Sequence, residues 1–157
     1  MRLPPFQRLL DEHGDQVHRF LVAAAGPDEA DDCFQETVIS ALRAYPRLRR
    51  VDDLRAWLFT IAHRKAIDAH RARRRRAVPV AEPVGAARLV AGPSVDGEPE
   101  LWQRVRELPP KQRTAVVLRF VADLPHAQAA AVLGCSEPAA RRSLHEALNT
   151  LRKEWSP

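Results

Sequence analysis

Apolar residues recur along this chain at intervals of three and four positions, which is the spacing of one face of an α-helix. Alternation of apolar and polar residues, the pattern of a half-buried strand, is nearly absent. Gly26-Pro27 and Tyr45-Pro46 each interrupt the helical pattern. The pattern therefore predicts three helices in the first half of the chain, over Phe6 to Ala25, Asp28 to Ala44, and from an Asp52 or Asp53 cap to Arg76.

Each predicted helix has one apolar face that would meet the other helices in a shared core. The second helix is predicted to turn five residues inward, namely Cys33, Phe34, Val38, Ala41 and Leu42. The third is predicted to bury Leu54, Trp57, Leu58, Ile61, Ala62 and Ile67. Trp57 could instead stack on an unpaired base, but its phase with Leu58 and Ile61 favours core packing.

The segment 77–99 changes in character, with four prolines, three glycines and no steady period. Such a composition is typical of a flexible linker. The helical pattern then returns and predicts four more helices, over Glu100 to Leu108, Lys111 to Ala122, His126 to Leu133 and Glu137 to Glu154. The sequence thus predicts an all-α protein of two small helical domains, residues 1–76 and 100–157, joined by a flexible linker.

The last two helices and their turn have the layout of a helix-turn-helix. Gly134 can take the positive φ of a tight turn, Ser136 can cap the next helix, and Pro138 fits its first turn. Four residues of the last helix are predicted to face outward: Glu137, Arg141, Arg142 and His145. In this motif the second helix enters the major groove of DNA. An ordinary helical hairpin within a bundle is the alternative for this segment.

Charge is unevenly distributed, although the net charge of the whole chain is only +5. Residues 1–54 sum to −3 and residues 55–76 to +7, whereas residues 77–100 sum to −3 and residues 101–157 to +4. The basic third helix suits nucleic-acid phosphates, because each neutralised phosphate releases counterions. A merely solvated charged face is the alternative. The acidic first part indicates a basic partner.

Other classes of function find little support in the sequence. The histidines are scattered without metal-ligand spacing, and no nucleophile motif or phosphate-binding glycine loop occurs. Cys33 and Cys135 each stand alone in an apolar helical pattern, which predicts two small buried hydrophobes. No stretch is apolar enough for a signal peptide or a membrane span. We expect a cytoplasmic protein without a further C-terminal domain, which is not an enzyme and holds no cofactor or metal.

Four strings of the sequence, taken in order, resemble a known family: ADDCFQETVISAL from Ala30, LRAWLFTIAHRKAIDAHRARRRR from Leu54, LPPKQRTAVVLRF from Leu108 and AAAVLGCS from Ala129. They are similar to A-E-D-L-x-Q-E, then W-L-x-x-I-A-x-N-x-x-x-D-x-x-R, then L-P-x-x-x-R and a helix-turn-helix. This is the pattern of sigma-70 family factors of bacterial RNA polymerase in their compact form, the extracytoplasmic-function (group 4) sigma factors.

The resemblance implies core RNA polymerase and promoter DNA as partners, and it leaves an anti-sigma factor open as a third. It implies polymerase binding by the acidic second helix, through Asp32, Gln35 and Glu36. It implies that the loop from Tyr45 to Asp53 receives a base flipped out of the minus-ten element. The implied minus-ten contacts are Arg49, Arg50, Arg64, Lys65, Arg71, Arg73, Arg74 and Arg75. The implied minus-thirty-five contacts are Ser136, Glu137, Arg141, Arg142 and His145.

Departures from the family pattern keep alternatives open. Arg64 stands where the family has Asn, which favours a phosphate contact over a base contact. In the recognition helix, Ala139, Ser143 and Glu146 replace a Thr and two Arg of the family pattern. These changes motivate the alternative of a modulator that docks on polymerase but reads promoters poorly. A stand-alone helix-turn-helix regulator is the other alternative, although it has no need of an acidic second helix.

Overall fold

A computed structural model of the chain describes residues 3–49, 51, 53–76 and 99–155. Within these ranges the chain forms seven α-helices and no strand: α1 Phe6–Ala25, α2 Pro27–Ala44, α3 Leu54–Arg76, α4 Pro99–Glu107, α5 Pro110–Phe120, α6 His126–Leu133 and α7 Glu137–Trp155. A short 3-10 turn, Tyr45–Arg47, follows α2. The predicted all-α fold is confirmed, and every predicted helix is present. The predicted linker, apart from Pro99 at the start of α4, lies outside the described residues.

Local interactions explain where α1 ends and where α2 and α3 begin. Gly26 has a φ of +94° and its amide bonds back to the carbonyl of Val22, so the chain turns sharply between α1 and α2. Pro27 then occupies the first turn of α2, where a missing N–H is harmless. Asp53 caps α3, because its carboxylate accepts a 3.1 Å hydrogen bond from the amide of Ala56.

The core of the first domain, α1 to α3, is centred on two aromatic rings. Phe20 of α1 and Phe59 of α3 are fully buried and meet edge to face, with ring centroids 5.5 Å apart. The α2 residues buried against them are small: Ala30, Cys33, Thr37 and Ala41. Large aromatic groups on α1 and α3 thus fill the space that small side chains on α2 leave.

The prediction that Leu42 faces inward was wrong. Its side chain is 53 % exposed. The buried stripe of α2 includes Cys33, Thr37 and Ala41, and one further residue along a helix turns the side chain by about 100°. Leu42 therefore leaves the core face, and Phe34 and Val38 are only half-buried at its edge.

The second domain, α4 to α7, is packed against the first, and the buried apolar residues of the two domains form one continuous core. The buried side chains of the second domain come from all four of its helices and include Val105, Val117, Val132 and Ala147. Helix α6 packs on α3, and α1 contacts both α4 and α5. We call the contact between the two domains the interdomain seam.

Side-chain hydrogen bonds cross the seam from one domain to the other. The guanidinium of Arg55 on α3 donates to the carbonyl oxygens of Ala122 and Asp123, at the end of α5. The side-chain amide of Gln128 on α6 donates to the carboxylate of Asp53. Asp53 thus caps α3 with one oxygen and meets α6 with the other.

Cationic groups from both domains also approach one another at the seam. Arg113 of α5 is only 9 % exposed, and burial lowers the pKa of its guanidinium. Burial, with the positive charges of Arg113 and Arg64, lowers the pKa of His63 on α3 to about 4. His63 is therefore neutral at neutral pH.

Replacing the buried ring tests the first core. We expect Phe20→Ala to lower the free energy of unfolding of the first domain by about 3–5 kcal/mol, because it leaves a cavity beside Phe59. Urea titration followed by circular dichroism measures this change. The matched control is Phe120→Ala, since Phe120 is 59 % exposed and its loss should change stability by no more than about 0.5 kcal/mol. Equal losses in the two variants would contradict the core described above.

Acid should loosen the structure through His63. Its folded-state pKa, about 4, lies below the unfolded value of 6.5, so its contribution to stability is present above pH 6.5. That contribution is lost as the pH falls from 6.5 through 4. We expect unfolding titrations to show that His63→Gln loses less stability than the wild type between about pH 7.5 and pH 5, by on the order of 1–2 kcal/mol. Identical pH dependence in both proteins would contradict the burial of a neutral His63.

Candidate nucleic-acid and protein interfaces

The outer face of α2 combines acidic and apolar side chains. Asp32, Gln35 and Glu36, the predicted polymerase-binding residues, are all exposed. Ile39 and Leu42 are 48 % and 53 % exposed, and they are two of the three large apolar side chains that the described residues expose to this degree. Their positions continue the acidic residues at steps of three and four, so all five share one side of the helix. We call this surface the α2 face.

The composition of the α2 face favours contact with a protein partner. Exposed carboxylates attract a basic surface, and adjacent exposed apolar groups gain free energy when a partner covers them. The sequence analysis missed Ile39 and Leu42 as surface residues. A helical wheel that starts at Asp32 places both of them on the acidic side, and this was the signal that could have found them.

Aromatic contacts hold the loop that follows α2. The Tyr45 hydroxyl donates to the carbonyl of Pro4, and its ring lies 5.3 Å from the ring of Phe6 and 6.1 Å from that of Trp57. Trp57 is half-buried and therefore packs at the border of the core. The start of the loop is thus fixed by the first residues of the chain and by α3.

An open depression lies beside this fixed loop. It is lined by Ser40, Arg43, Ala44, Arg47 and Leu48. Arg49 is exposed next to it, whereas Arg50 and Asp52 lie outside the described residues. Two guanidinium groups beside an apolar side chain can hold a phosphate and the flat face of a base at once.

The basic residues predicted on α3 are not equivalent in the structure. Arg64, Arg71, Arg74 and Arg75 are exposed, whereas Lys65 is half-buried and its carbonyl oxygen accepts from the thiol of Cys33. Arg73 lies 3.8 Å from the carboxylate of Asp28 on α2. Arg64, Arg71 and Arg75 share one side of α3 at helical spacing, with the exposed Asp68 between the first two, and we call this side the basic stripe.

The turn of the predicted helix-turn-helix is built as expected. Gly134 adopts the left-handed conformation, with a φ of +70°. The amides of Gly134 and Cys135 bond back to the carbonyls of Ala131 and Ala130 and thereby end α6. The Ser136 hydroxyl accepts a 3.2 Å hydrogen bond from the amide of Ala139 and caps α7.

On α7 the predicted DNA-contacting residues are partly engaged with one another. Arg141 lies 2.8 Å from Glu137, one turn earlier, while Arg142 is exposed. His145 shares a 3.2 Å hydrogen bond with Asn149. Both arginines are thus exposed on the outer side of α7, and Arg141 is the one in a described ion pair.

The two cysteines differ in their surroundings. Burial, with the negative charges of Glu29, Glu36, Asp32 and Asp68, raises the pKa of Cys33 to about 11, so the thiol stays protonated. Cys135 is half-exposed, which corrects the prediction that it is buried. Within the described ranges no three His, Cys, Asp or Glu side chains gather where they could hold a metal ion. None of the described helices is both long and apolar enough to cross a membrane.

Both halves of the chain match models of known families. Residues 9–76 match sigma-70 region 2, and residues 99–151 match sigma-70 region 4. The first match ends where α3 ends, at Arg76. The second begins where α4 begins, at Pro99. The first covers the α2 face and the basic stripe, and the second covers the helix-turn-helix.

Several relatives of this chain are RNA polymerase sigma factors. The chain is 31 % identical over 156 residues to the ECF RNA polymerase sigma factor BldN of Streptomyces coelicolor, covering 94 % of this chain and 59 % of the relative. It is 36 % identical over 132 residues to SigD of Mycobacterium tuberculosis, covering 80 % and 62 %. It is 30 % identical over 146 residues to SigC of the same species, covering 90 % and 78 %. The chain thus spans about three fifths of the length of BldN and SigD.

Solved structures show the same fold. The sigma factor RpoE of Bartonella quintana, determined with the anti-sigma factor NepR, matches 99 % of this chain and its own full length with a TM-score of 0.77 at 22 % identity. CnrH, determined with the cytosolic domain of CnrY, matches 94 % of this chain and 85 % of its own, with a TM-score of 0.71 at 24 % identity. With region 2 and region 4 both present and relatives at 30–36 % identity, the chain belongs to the sigma-70 family, within its extracytoplasmic-function group.

Proposed function

We propose that this protein is an alternative sigma factor, which binds core RNA polymerase and directs it to specific promoters. The observation that carries the proposal is that one chain holds the α2 face, suited to a protein partner, together with the basic stripe and the helix-turn-helix, suited to DNA. A stand-alone regulator needs only the surfaces suited to DNA. The proposal involves no catalytic step by this chain, and its partner places it in the cytoplasm.

Polymerase docking is assigned to the α2 face. The carboxylates of Asp32 and Glu36 can pair with a basic surface, and the amide of Gln35 can donate to it or accept from it. Ile39 and Leu42 then lose their water contact beneath the partner. Charge selects and orients such a partner, while burial of the apolar pair adds affinity.

Minus-ten recognition is assigned to the loop after α2 and to the basic stripe. We assign the depression beside Arg43 and Arg47 as the place where the loop would receive a base flipped from the non-template strand; the two guanidinium groups that line it support this assignment. Flipping a base costs a few kcal/mol of stacking, which pocket and phosphate contacts must offset. The proposed phosphate contacts are Arg64 and Arg71, together with Arg49, Arg50, Lys65, Arg73, Arg74 and Arg75. Arg64, where the family pattern has Asn, contributes charge in place of a base contact.

Minus-thirty-five recognition is assigned to the outer side of α7. Arginine can bind guanine through two hydrogen bonds, worth about 1–3 kcal/mol of discrimination. Arg142 is free of described ion pairs, and Arg141 is held by Glu137. Ser136 and His145 flank them at the start and middle of the exposed surface.

A polymerase-docking modulator with poor promoter reading is the second candidate. It is favoured by Glu146, a negative charge on α7 that bonds at 3.4 Å to Gln112 of α5. Transcription from a cognate promoter with only this protein and core polymerase would exclude it. An anti-sigma factor is a further proposed partner, because RpoE and CnrH, which share the fold, were each determined with another protein bound.

Charge reversal on the α2 face tests polymerase docking. We expect the Asp32→Lys, Glu36→Lys double variant to bind core RNA polymerase at least about tenfold more weakly than the wild type, because both changes repel a basic partner. Binding is measured by pull-down and by titration of fluorescently labelled protein. The matched control is Asp11→Lys, Asp15→Lys, which makes the same charge change at exposed positions of α1. No binding by the folded wild type would reject the sigma-factor proposal in favour of a stand-alone regulator.

Salt dependence tests the basic stripe. In complex with core polymerase, the Arg64→Ala, Arg71→Ala variant should bind a single-stranded non-template oligonucleotide with a shallower dependence of log affinity on log salt. The slope should fall by about 1–1.5, since each lost phosphate contact removes about 0.7. Arg152→Ala, Lys153→Ala removes two exposed charges from the end of α7 and should keep the wild-type slope. An unchanged slope in the α3 variant would remove the stripe from the DNA contacts.

A further inference from the structure

The loop after α2 rests on the short segment that precedes α1, residues 3–5, which we call the pre-α1 segment. The carbonyl oxygen of Pro4 in this segment accepts the hydrogen bond from the Tyr45 hydroxyl. Phe6, the first residue of α1, places its ring 5.3 Å from the Tyr45 ring. Leu3 and Phe6 are half-buried and pack against the core. These contacts leave Tyr45 only 8 % exposed, although it lies in a loop at the surface.

Two consecutive prolines make the pre-α1 segment rigid. The ring of Pro5 locks its φ, here −57°, and a residue that precedes a proline is confined to extended geometry, which restricts Pro4 as well. The carbonyl oxygen of Pro5 accepts from the amides of Arg8 and Leu9, at 3.0 and 3.3 Å, and ties the segment to the first turn of α1. The acceptor for Tyr45 is therefore held in place by α1. Little further conformational entropy is lost when the hydrogen bond to it forms.

Tyr45 in turn holds the backbone that forms the depression beside the loop. It begins the 3-10 turn, and its carbonyl oxygen accepts a 3.1 Å hydrogen bond from the amide of Leu48. Ala44, Arg47 and Leu48 all line the depression, whereas Tyr45 itself is not among its lining residues. The pre-α1 segment thus acts on the depression from behind, through Tyr45 and the backbone of the turn.

We propose that the pre-α1 segment and Phe6 position the loop after α2 for minus-ten recognition, by holding it through Tyr45 in the conformation that receives a flipped base. Pro4, Pro5 and Phe6 are thus positioning residues, because they act on the base only through Tyr45. The inference rests on the proposed role of the depression in binding that base. A loop that occupies its binding-competent conformation for only part of the time binds with an affinity reduced by that fraction. Contacts that order the loop beforehand therefore raise the affinity for the base without touching DNA.

A purely structural role of these contacts would have a different signature. A contact that only stabilises the first domain weakens the binding of every oligonucleotide alike when it is removed. A positioning contact changes only the part of the affinity that the flipped base supplies. The phosphate contacts, and with them the dependence of affinity on salt, then stay as they are in the wild type.

Two variants weaken the positioning contacts and leave the lining of the depression unchanged. Tyr45→Phe keeps the ring and its aromatic contacts and removes only the hydroxyl that donates to the pre-α1 segment. Pro4→Gly, Pro5→Gly keeps both carbonyl groups and removes the rigidity of the segment. The matched control is Pro109→Gly, Pro110→Gly, which makes the same change at two exposed prolines where α5 begins. All three variants are made in the full-length chain.

Order in the loop is measured first, without DNA, by hydrogen exchange of the Leu48 amide, whose hydrogen bond to Tyr45 closes the turn. Exchange should be roughly two- to tenfold faster in both variants than in the wild type and in the control, because the turn opens more often. Each variant should bind core polymerase as the wild type does, since the α2 face is unchanged. Wild-type exchange rates in both variants would overturn the inference.

Dependence on the base is measured second, in complex with core polymerase. The probes are a single-stranded non-template oligonucleotide with the minus-ten element of a promoter that the wild type transcribes, and copies of it that each lack one base. For the wild type, one of these abasic copies should bind about tenfold or more weakly than the intact oligonucleotide, the loss expected of one stacked base. Both variants should bind the intact oligonucleotide roughly two- to tenfold more weakly than the wild type does. They should bind that abasic copy equally well and keep the wild-type salt slope.

The outcomes distinguish the inference from the function on which it rests. A wild type that binds every abasic copy as tightly as the intact oligonucleotide would reject the base-binding role of the depression, and the inference with it. If the wild type does discriminate, variants that lose affinity for the intact and the abasic oligonucleotide alike would show a structural role and overturn the positioning role. Faster exchange with wild-type affinity for the intact oligonucleotide would overturn it as well.

Discussion

The edge-to-face contact between Phe20 and Phe59 fixes the position of α3, and every proposed DNA contact of the first domain depends on that helix. The contact sets which side of α3 is buried, and therefore which sides remain for other uses. Trp57, two residues before Phe59, supports the loop after α2 through Tyr45. Arg64 and Arg71 lie further along on the free side. A shift of one residue in the register of α3 would turn all of these groups by about 100° at once.

Small side chains on α2 have a related effect on the acidic surface. Because Ala30, Cys33, Thr37 and Ala41 suffice to pack against the aromatic core, the larger Ile39 and Leu42 are left outside. Burial is the main reason that the thiol of Cys33 stays protonated, and the carboxylates of this acidic surface raise its pKa in the same direction. Near its start α2 meets the basic end of α3, where Asp28 approaches Arg73 to 3.8 Å. Acidic and basic surfaces thus share one rigid unit, so a protein partner and a DNA strand can be held in a fixed relation.

Most of the fold could be predicted from the sequence because its signals are local. Gly134, Ser136 and Asp53 act on neighbouring backbone groups, and the structure shows each in the expected role. The outward position of Leu42 was harder to predict from the sequence. An apolar residue that directly follows a buried residue of a helix can lie at the edge of the buried face or outside it. The seam was out of reach altogether. It joins residues separated by more than 60 positions, and the burial of Arg113 contradicts the usual preference of arginine for water. The sequence therefore predicted which residues form the candidate site. It did not predict how the packing of the two domains leaves those residues exposed or buried.

The ion pair between Glu137 and Arg141 has a consequence for how promoters would be ranked. A guanine that binds Arg141 must take the guanidinium from Glu137 or share it, and a cytosine amino group offers the released carboxylate a new hydrogen bond. The two side chains would then respond to adjacent base pairs as one unit. Base preferences at those two positions would not be independent, and a table that scores each promoter position separately would misjudge sequences in which both are changed.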